Sequence, residues 1–281
     1  MADVPTLTLN TGAPIPQLGL GTARVTDQEE IRRIVRDAIG VGYRHIDSAA
    51  KYENEVGVGR GIADSGVDRA DLFVTTKLRG SEQGADSARD AFARSLDRLG
   101  LDYVDLYLIH WPLPRLDKYA ESWTVMEQLQ AEGLTRAIGV SNFLPEHLDR
   151  LADVSATVPA TNQIELHPQF PQPEARADDD RRGIVTVAWS PLANANALLE
   201  APVLAEIGRR HGKSPVQVVL RWHLQNGVVA IPKASHVDRL RANIDVFDFE
   251  LDDDDMKRID GLERGERGRT GSNPATASFL F

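Results

Sequence analysis

Apolar positions change period along this chain, and each change marks an element. In LTLNTGAPIPQLGLGT, Leu7 and Leu9 alternate before a turn at Asn10, Thr11 and Gly12, and Ile15 and Leu18 follow. That pattern predicts a hairpin. From Asp27 the period lengthens: Ile31, Ile34, Val35, Ala38 and Ile39 fall on one helical face, with Gly40 as the stop. Strand candidates then recur at 44–48, 72–77, 104–110, 136–141, 161–165, 184–189, 228–232 and 244–247. Several, such as LFVTT and VDLYLI, are apolar on both faces, which suits a parallel sheet covered on each side. Helical patterns lie between them, clearest at Ala88, Ala91, Phe92, Ser95, Leu96 and Leu99, and at Val216, Val219, Leu220, His223 and Leu224.

Repeated strand and helix units predict a single α/β domain over 1–281: a (β/α)8 TIM barrel with an N-terminal β-hairpin closing its bottom. Two segments fit less well. Residues 171–183 contain ADDDRR and lack an apolar stripe, so the helix expected there is weak. The run 252–255 reads as the acidic first turn of a helix continuing through Met256 and Ile259.

Composition narrows the function classes. Hydrophobic residues make up 42% and charged residues 26% of the 281, which excludes a disordered chain. A net charge of −10 disfavours nucleic acid and anionic membranes, so an anionic ligand needs a local basic patch. With no cysteine there is no disulfide, thiol nucleophile or thiolate metal site. The start of the chain has no secretory pattern and no apolar run reaches membrane-spanning length; a cytoplasmic protein is expected, with no nucleic-acid or membrane partner.

The chemistry concentrates on strand ends. In YRHIDSAAKYENEVGVG a short strand delivers Asp47, then Tyr52, and a helix should start near Asn54. VTTK ends in Lys77 and DLYLIH in His110. A lysine or histidine ending a buried apolar strand must be paired or functional. Together the four suit general-acid catalysis. Tyrosine, with a pKa of about 10, becomes a usable acid if a lysine lowers it, an aspartate holds the lysine, and a neutral histidine bonds the same carbonyl oxygen. Singly, each has an ordinary structural use: a cap for Asp47, a rim aromatic for Tyr52, a surface residue for Lys77 and a core histidine for His110.

For phosphate, Gly19-Leu20-Gly21 and Gly57-Val58-Gly59 both lack the third glycine of the Rossmann fingerprint. IPKAS, followed by Arg239 and Asn243, offers instead a strand end, a helix N-terminus and two cations, Lys233 and Arg239, suited to an adenosine 2′-phosphate. The ordinary alternative is a solvated basic helix face. Scattered histidines without H-E-x-x-H argue against metal, and the absence of G-x-S-x-G argues against a serine hydrolase.

Seven stretches in order, GYRHIDSAAKYENEVGVG, FVTTKL, DLYLIHWP, LTRAIGVSNF, NQIELHP, AWSPL and IPKASHVDRLRANIDVFDFEL, resemble the aldo-keto reductase family, closest to its bacterial branch of 2,5-diketo-D-gluconate reductases. The resemblance implies NADPH-dependent reduction of a small carbonyl compound, usually by a monomer. It makes Tyr52 the proton donor, with Asp47, Lys77 and His110 completing a tetrad. Ser141, Asn142 and Gln163 would hold the nicotinamide carboxamide and Trp189 would stack on its ring. Gly21, Thr22, Ser190, Leu192, Lys233, Ala234, Ser235, Arg239 and Asn243 would complete the cofactor contacts.

Trp111 would wall the substrate pocket, facing Ala23 and Arg79. The chain departs from the family pattern at three positions: Ala23 replaces a large aromatic, Arg79 a tryptophan, and Ala242 a glutamate near the adenine. An arginine fork at Arg79 would favour carbonyls carrying an acidic or polar group, unless it points to solvent or pairs with an acid such as Glu82. The rival reading is a cofactor-binding regulatory or redox-sensing subunit with the same barrel but negligible turnover.

Overall fold

The computed structural model describes residues 4–193 and 197–279. It begins with β1 (Thr6–Thr8) and β2 (Pro14–Pro16), an antiparallel pair with Leu7 opposite Ile15. Gly12 turns the hairpin at a φ of 82°, where a glycine pays no Cβ penalty. Next come β3 (Leu20–Gly21), α1 (Gln28–Val41), β4 (His45–Asp47), α2 (Glu55–Asp64), β5 (Phe73–Leu78), α3 (Ala88–Leu99) and β6 (Val104–Ile109). The chain continues through α4 (Tyr119–Ala131), β7 (Thr135–Ser141), α5 (Pro145–Ala152), β8 (Thr161–Glu165), α6 (Pro173–Arg181) and β9 (Val185–Trp189). It ends with α7 (Pro202–His211), α8 (Pro215–Gln225), β10 (Val229–Ala230), α9 (Val237–Ile244) and α10 (Asp253–Asp260).

Strands β3 to β10 pair in sequence order, all parallel, and a bridge between Leu18 and Ala230 joins the two ends. Gly19 N and Gly21 N donate to Ala230 O and Pro232 O across that seam. The eight strands therefore curl into the expected (β/α)8 arrangement, with the hairpin beneath. Leu9 and Ile15 pack with Phe73, Leu106, Leu108 and Val229, so the hairpin plugs the barrel at its N-terminal end. Every residue of β5 and β6 is buried, which accounts for their unbroken apolar reading. No helix among the described residues is long and apolar enough to cross a membrane.

Several expectations are corrected. Residues 244–247 do not form a strand: Ile244 ends α9 and Val246 is buried in the core without joining the sheet. The missing strand is β3, which lies inside the stretch assigned to the hairpin. Helix α1 ends two residues later than Gly40, at a left-handed Gly42 (φ 119°) whose N–H bonds back into the last turn. The glycines of EVGVGRG have a packing role: a Cβ on Gly57 would collide with Gln28 O, and one on Gly59 with Leu99 O. They let α2 lie against the backbones at the start of α1 and the end of α3. The weak helix at 171–183 is present as α6, with Asp178 and Asp179 buried and bonded.

Candidate active site

The C-terminal ends of β4, β5 and β6 bring the predicted tetrad together. Lys77 is fully buried and donates to Asp47 Oδ1 at 2.5 Å, to Ser48 O at 2.8 Å and to the Tyr52 hydroxyl at 3.5 Å. Tyr52 sits in a single 3-10 turn, Ala50–Tyr52, that follows β4. Its ring meets His110 edge to face at 5.6 Å between centroids. Gln163 Nε2 donates to Asp47 Oδ2 at 2.8 Å, so both oxygens of that carboxylate are held.

The electrostatics follow from burial. Burial alone would lower Lys77, but Asp47 and then Tyr52 outweigh it and hold the ammonium above its ordinary value. For His110, burial and then the nearby Lys77, Arg79 and Lys51 push the imidazole well below its ordinary value, so it is neutral at pH 7. Its Nδ1 is buried without a partner. Tyr52 departs from expectation: burial raises its pKa above the ordinary value, and Lys77 only opposes that rise. The resting phenol is thus firmly protonated. A lysine 3.5 Å away offsets part of the cost of a phenolate rather than creating one.

Asp47, Tyr52 and His110 line a cavity of about 410 Å³ at the barrel mouth, with Lys77 fully buried behind them. Of the other predicted residues, Gly21, Thr22, Ala23, Trp111, Ser141, Asn142, Gln163, Trp189, Ser190, Leu192, Lys233 and Arg239 line it. Asn142, at a left-handed φ of 63°, donates to His110 O and Ser141 Oγ, and accepts from Trp189 Nε1 at 2.8 Å. Its amide is committed at both ends and fixes the indole. Ser141 Oγ donates to Gln163 O.

Other predicted residues do not line the cavity. Ala234 and Asn243 are buried in the protein, and Ser235 O accepts from Arg33. Arg79 donates to Ala50 O at 2.5 Å and lies 3.8 and 3.9 Å from the carboxylates of Glu53 and Glu82. Its fork braces the Tyr52 turn through Ala50 O, the acid-paired arrangement that competed with a pocket role.

Three residues escaped the sequence reading. Asn54 is fully buried, accepts from Ser48 Oγ and donates to Thr22 O and Val25 O, stapling the loop after β3 to the Tyr52 segment. That loop carries Arg24 at a φ of 66°, exposed and lining the cavity with Lys233 and Arg239. Glu165 is buried at the end of β8. The period-two pattern of β8 held a signal for it, since Gln163 and Glu165 must share a face.

The eight-stranded parallel barrel gathers Asp47, Lys77, Tyr52 and His110 at its C-terminal mouth, and sequence comparison specifies the family. The chain belongs to the aldo/keto reductase family, whose model matches residues 17–264. It is 50% identical to an aldo-keto reductase of Mycolicibacterium smegmatis over 98% of both chains. It is 47% identical to 2,5-diketo-D-gluconic acid reductase B of Corynebacterium, covering 94% of this chain and 95% of the relative. A solved mutant of the protein Gox0644, in complex with NADPH, superposes with a TM-score of 0.94 at 41% identity, covering 99% and 100% of the two chains.

Proposed function

We propose that this chain reduces aldehydes or ketones to alcohols with NADPH, with Tyr52 as the general acid. The observation that carries this is the buried Lys77 ammonium touching both Asp47 and the Tyr52 hydroxyl on the cavity wall. The cavity suits the cofactor at both ends. Arg24, Lys233 and Arg239 give its rim cations for phosphates, while Trp189 offers an aromatic face whose tilt Asn142 fixes. Gln163 has its amide nitrogen on Asp47, so an approaching carboxamide would meet its oxygen.

Bound NADPH would supply the hydride that adds to the carbonyl carbon. The protein's part is to place the carbonyl oxygen between Tyr52 and His110. As negative charge grows on that oxygen, the Tyr52 proton moves to it and the electron pair of the O–H bond stays on the phenolate. Lys77 stabilises that phenolate, and Asp47 keeps Lys77 charged and aimed. His110, neutral, bonds the oxygen without competing as an acid. The test is direct: mix the protein with NADPH and a panel of reactive carbonyls and follow the loss of nicotinamide absorbance. Steady oxidation matched by alcohol formation is expected; binding of NADPH without turnover on any carbonyl would leave the regulatory reading instead.

A further inference from the structure

We propose that Glu165 is a positioning residue that ties the C-terminal segment across the barrel mouth and thereby sets the substrate-facing side of the cavity. The proposal rests on the carbonyl-reductase reading for its kinetic arm only. The carboxylate lies at the end of β8, next in the sheet to Trp189, and its side chain is 1% exposed. Oε1 accepts from Thr270 N at 2.5 Å and Thr270 Oγ1 at 2.6 Å, and Oε2 accepts from Gly271 N at 2.9 Å. His167 Nε2 lies 3.3 Å from Oε1. Burial alone would raise this carboxyl, but the bonds from His167, Thr270 and Gly271 outweigh it and hold it below its ordinary value. One anion inside the barrel thus binds two consecutive amides of a segment that arrives more than a hundred residues later.

Beyond that tie, the segment reaches the site. Gly271 packs so closely on Trp189 that a Cβ there would collide with the indole. Further on, the Phe279 ring meets the Trp111 ring edge to face at 5.1 Å, and Ala277 packs into the same cluster with Leu113. Both tryptophans line the cavity. The tail therefore braces one wall beside β8 and β9 and another beyond β6. Residues 264–269 are held separately: Arg264 N donates to Gln169 O, and the Arg269 guanidinium lies 4.5 Å from the Phe170 centroid. Glu165 anchors the chain beyond Arg269.

That division makes the tie measurable. The Arg269–Thr270 peptide N–H is the one bound by Glu165, so trypsin cannot draw this bond into an extended conformation while the tie holds. Glu165→Gln keeps the shape but turns one acceptor into a donor facing a donor. Cleavage after Arg269 should accelerate roughly tenfold or more, because proteolysis follows the population of the opened segment. The tryptophan emission should shift as Trp111 and Trp189 lose their covering. In turnover, KM for carbonyl substrates should rise about fivefold or more while kcat and NADPH affinity change less than about twofold, the pattern of lost ground-state positioning. Thr270→Val, on the tail itself, should move cleavage and KM in the same direction by a smaller factor, which covers misfolding of the first variant. Because Arg269 is also held by Phe170 and Glu266, unchanged cleavage together with unchanged tryptophan emission in both variants overturns the tie, and a loosened segment with an unchanged KM overturns the positioning role. Cleavage and emission are read without substrate, so absence of turnover by the parent protein would overturn the carbonyl reading and not the tie.

Discussion

Two buried carboxylates, one at each end of the barrel, hold cations in similar ways and have opposite consequences. At the mouth, Asp47 pairs with Lys77; at the bottom, Asp105 accepts from Arg69 at 2.7 Å, from Val74 N at 2.9 Å and from Arg136 at 3.0 Å. Both face hollows, and the bottom one, lined by Asp105, Arg136 and the hairpin, is the larger at about 490 Å³ against about 410 Å³. Yet the bottom pair supplies no movable proton. Its cations are guanidiniums, which stay charged, and both stack on Tyr103, with ring distances of 4.1 and 4.5 Å. At the mouth the cation is a lysine that shares its protons with a phenol, beside a neutral histidine with an unpartnered nitrogen. Cavity size and ion pairing do not distinguish the two ends; a proton that can leave does, and that is what the proposed general acid requires.

The largest expected effect tests that distinction. Tyr52→Phe removes the transferable proton and leaves the Asp47–Lys77 pair in place. It should lower kcat by at least about 10²-fold with NADPH binding retained, the scale of a lost general acid. Lys77→Met should fall similarly. Near-normal turnover in either variant would remove the mouth's claim to be different from the bottom.

The pH profile sharpens the same point. His110 is held well below its ordinary 6.5 and Tyr52 above its ordinary 10.0, so neither changes protonation between those values. With Tyr52 as the proposed acid, reduction needs that phenol protonated. The kcat/KM for reduction should therefore run flat from pH 6.5 upward and fall only beyond pH 10. A limb near neutrality would show that another group supplies the proton.

Next in size is the cofactor rim. Arg239 is exposed and lines the cavity with Lys233. A charge-assisted contact to a phosphate contributes roughly 1.5–3 kcal/mol. Arg239→Ala should weaken NADPH by about ten- to a hundred-fold, with NADH nearly unchanged. Equal loss for both, measured by fluorescence titration, would separate Arg239 from the 2′-phosphate.

At the bottom, Asp105→Asn should act on stability alone. It leaves two arginines and a backbone N–H sharing one weaker acceptor, and the side chain is only 3% exposed. Because Arg69 and Arg136 reach solvent, at 20% and 47% exposure, the loss should be about 1–3 kcal/mol rather than that of a fully buried pair. Thermal unfolding should shift down by several degrees with kcat/KM unchanged per folded molecule.

Much of this was legible from strand ends. The positions of Asp47, Lys77 and His110 follow from where apolar runs stop, and seven of the barrel's strands stand near the predicted places. The eighth, Leu20–Gly21, is too short and too glycine-flanked to show a period. At 244–247 the apolar residues are buried by packing instead of by sheet pairing, which periodicity does not distinguish. The direction of the Tyr52 shift was not legible either, since it depends on how completely the ring is desolvated. Asn54 and Arg24 act through a loop whose left-handed residue carries no sequence mark.

The smallest effect concerns Arg79, the residue whose chemistry looked most suggestive in the sequence. A guanidinium fork near the mouth matches a carboxylate, and a preference for acidic carbonyls would follow if it pointed inward. Its fork is instead bonded to Ala50 O and flanked by Glu53 and Glu82, with Arg94 sharing Glu82 at 2.9 Å. Releasing it toward a substrate would break the bond to Ala50 and leave two acids without its charge. Screening at this partly exposed site makes each ion pair weak, but nothing in the cavity repays the move. Arg79→Trp should therefore change the ratio of kcat/KM for a carboxylated substrate and its neutral ester by less than about twofold, a difference well under 1 kcal/mol. It should lower thermal stability slightly through the freed Ala50–Tyr52 turn. A ratio that falls tenfold or more on losing Arg79 would mean that the fork swings inward on binding, and the mouth would then read charge from a residue that the resting fold keeps outside it.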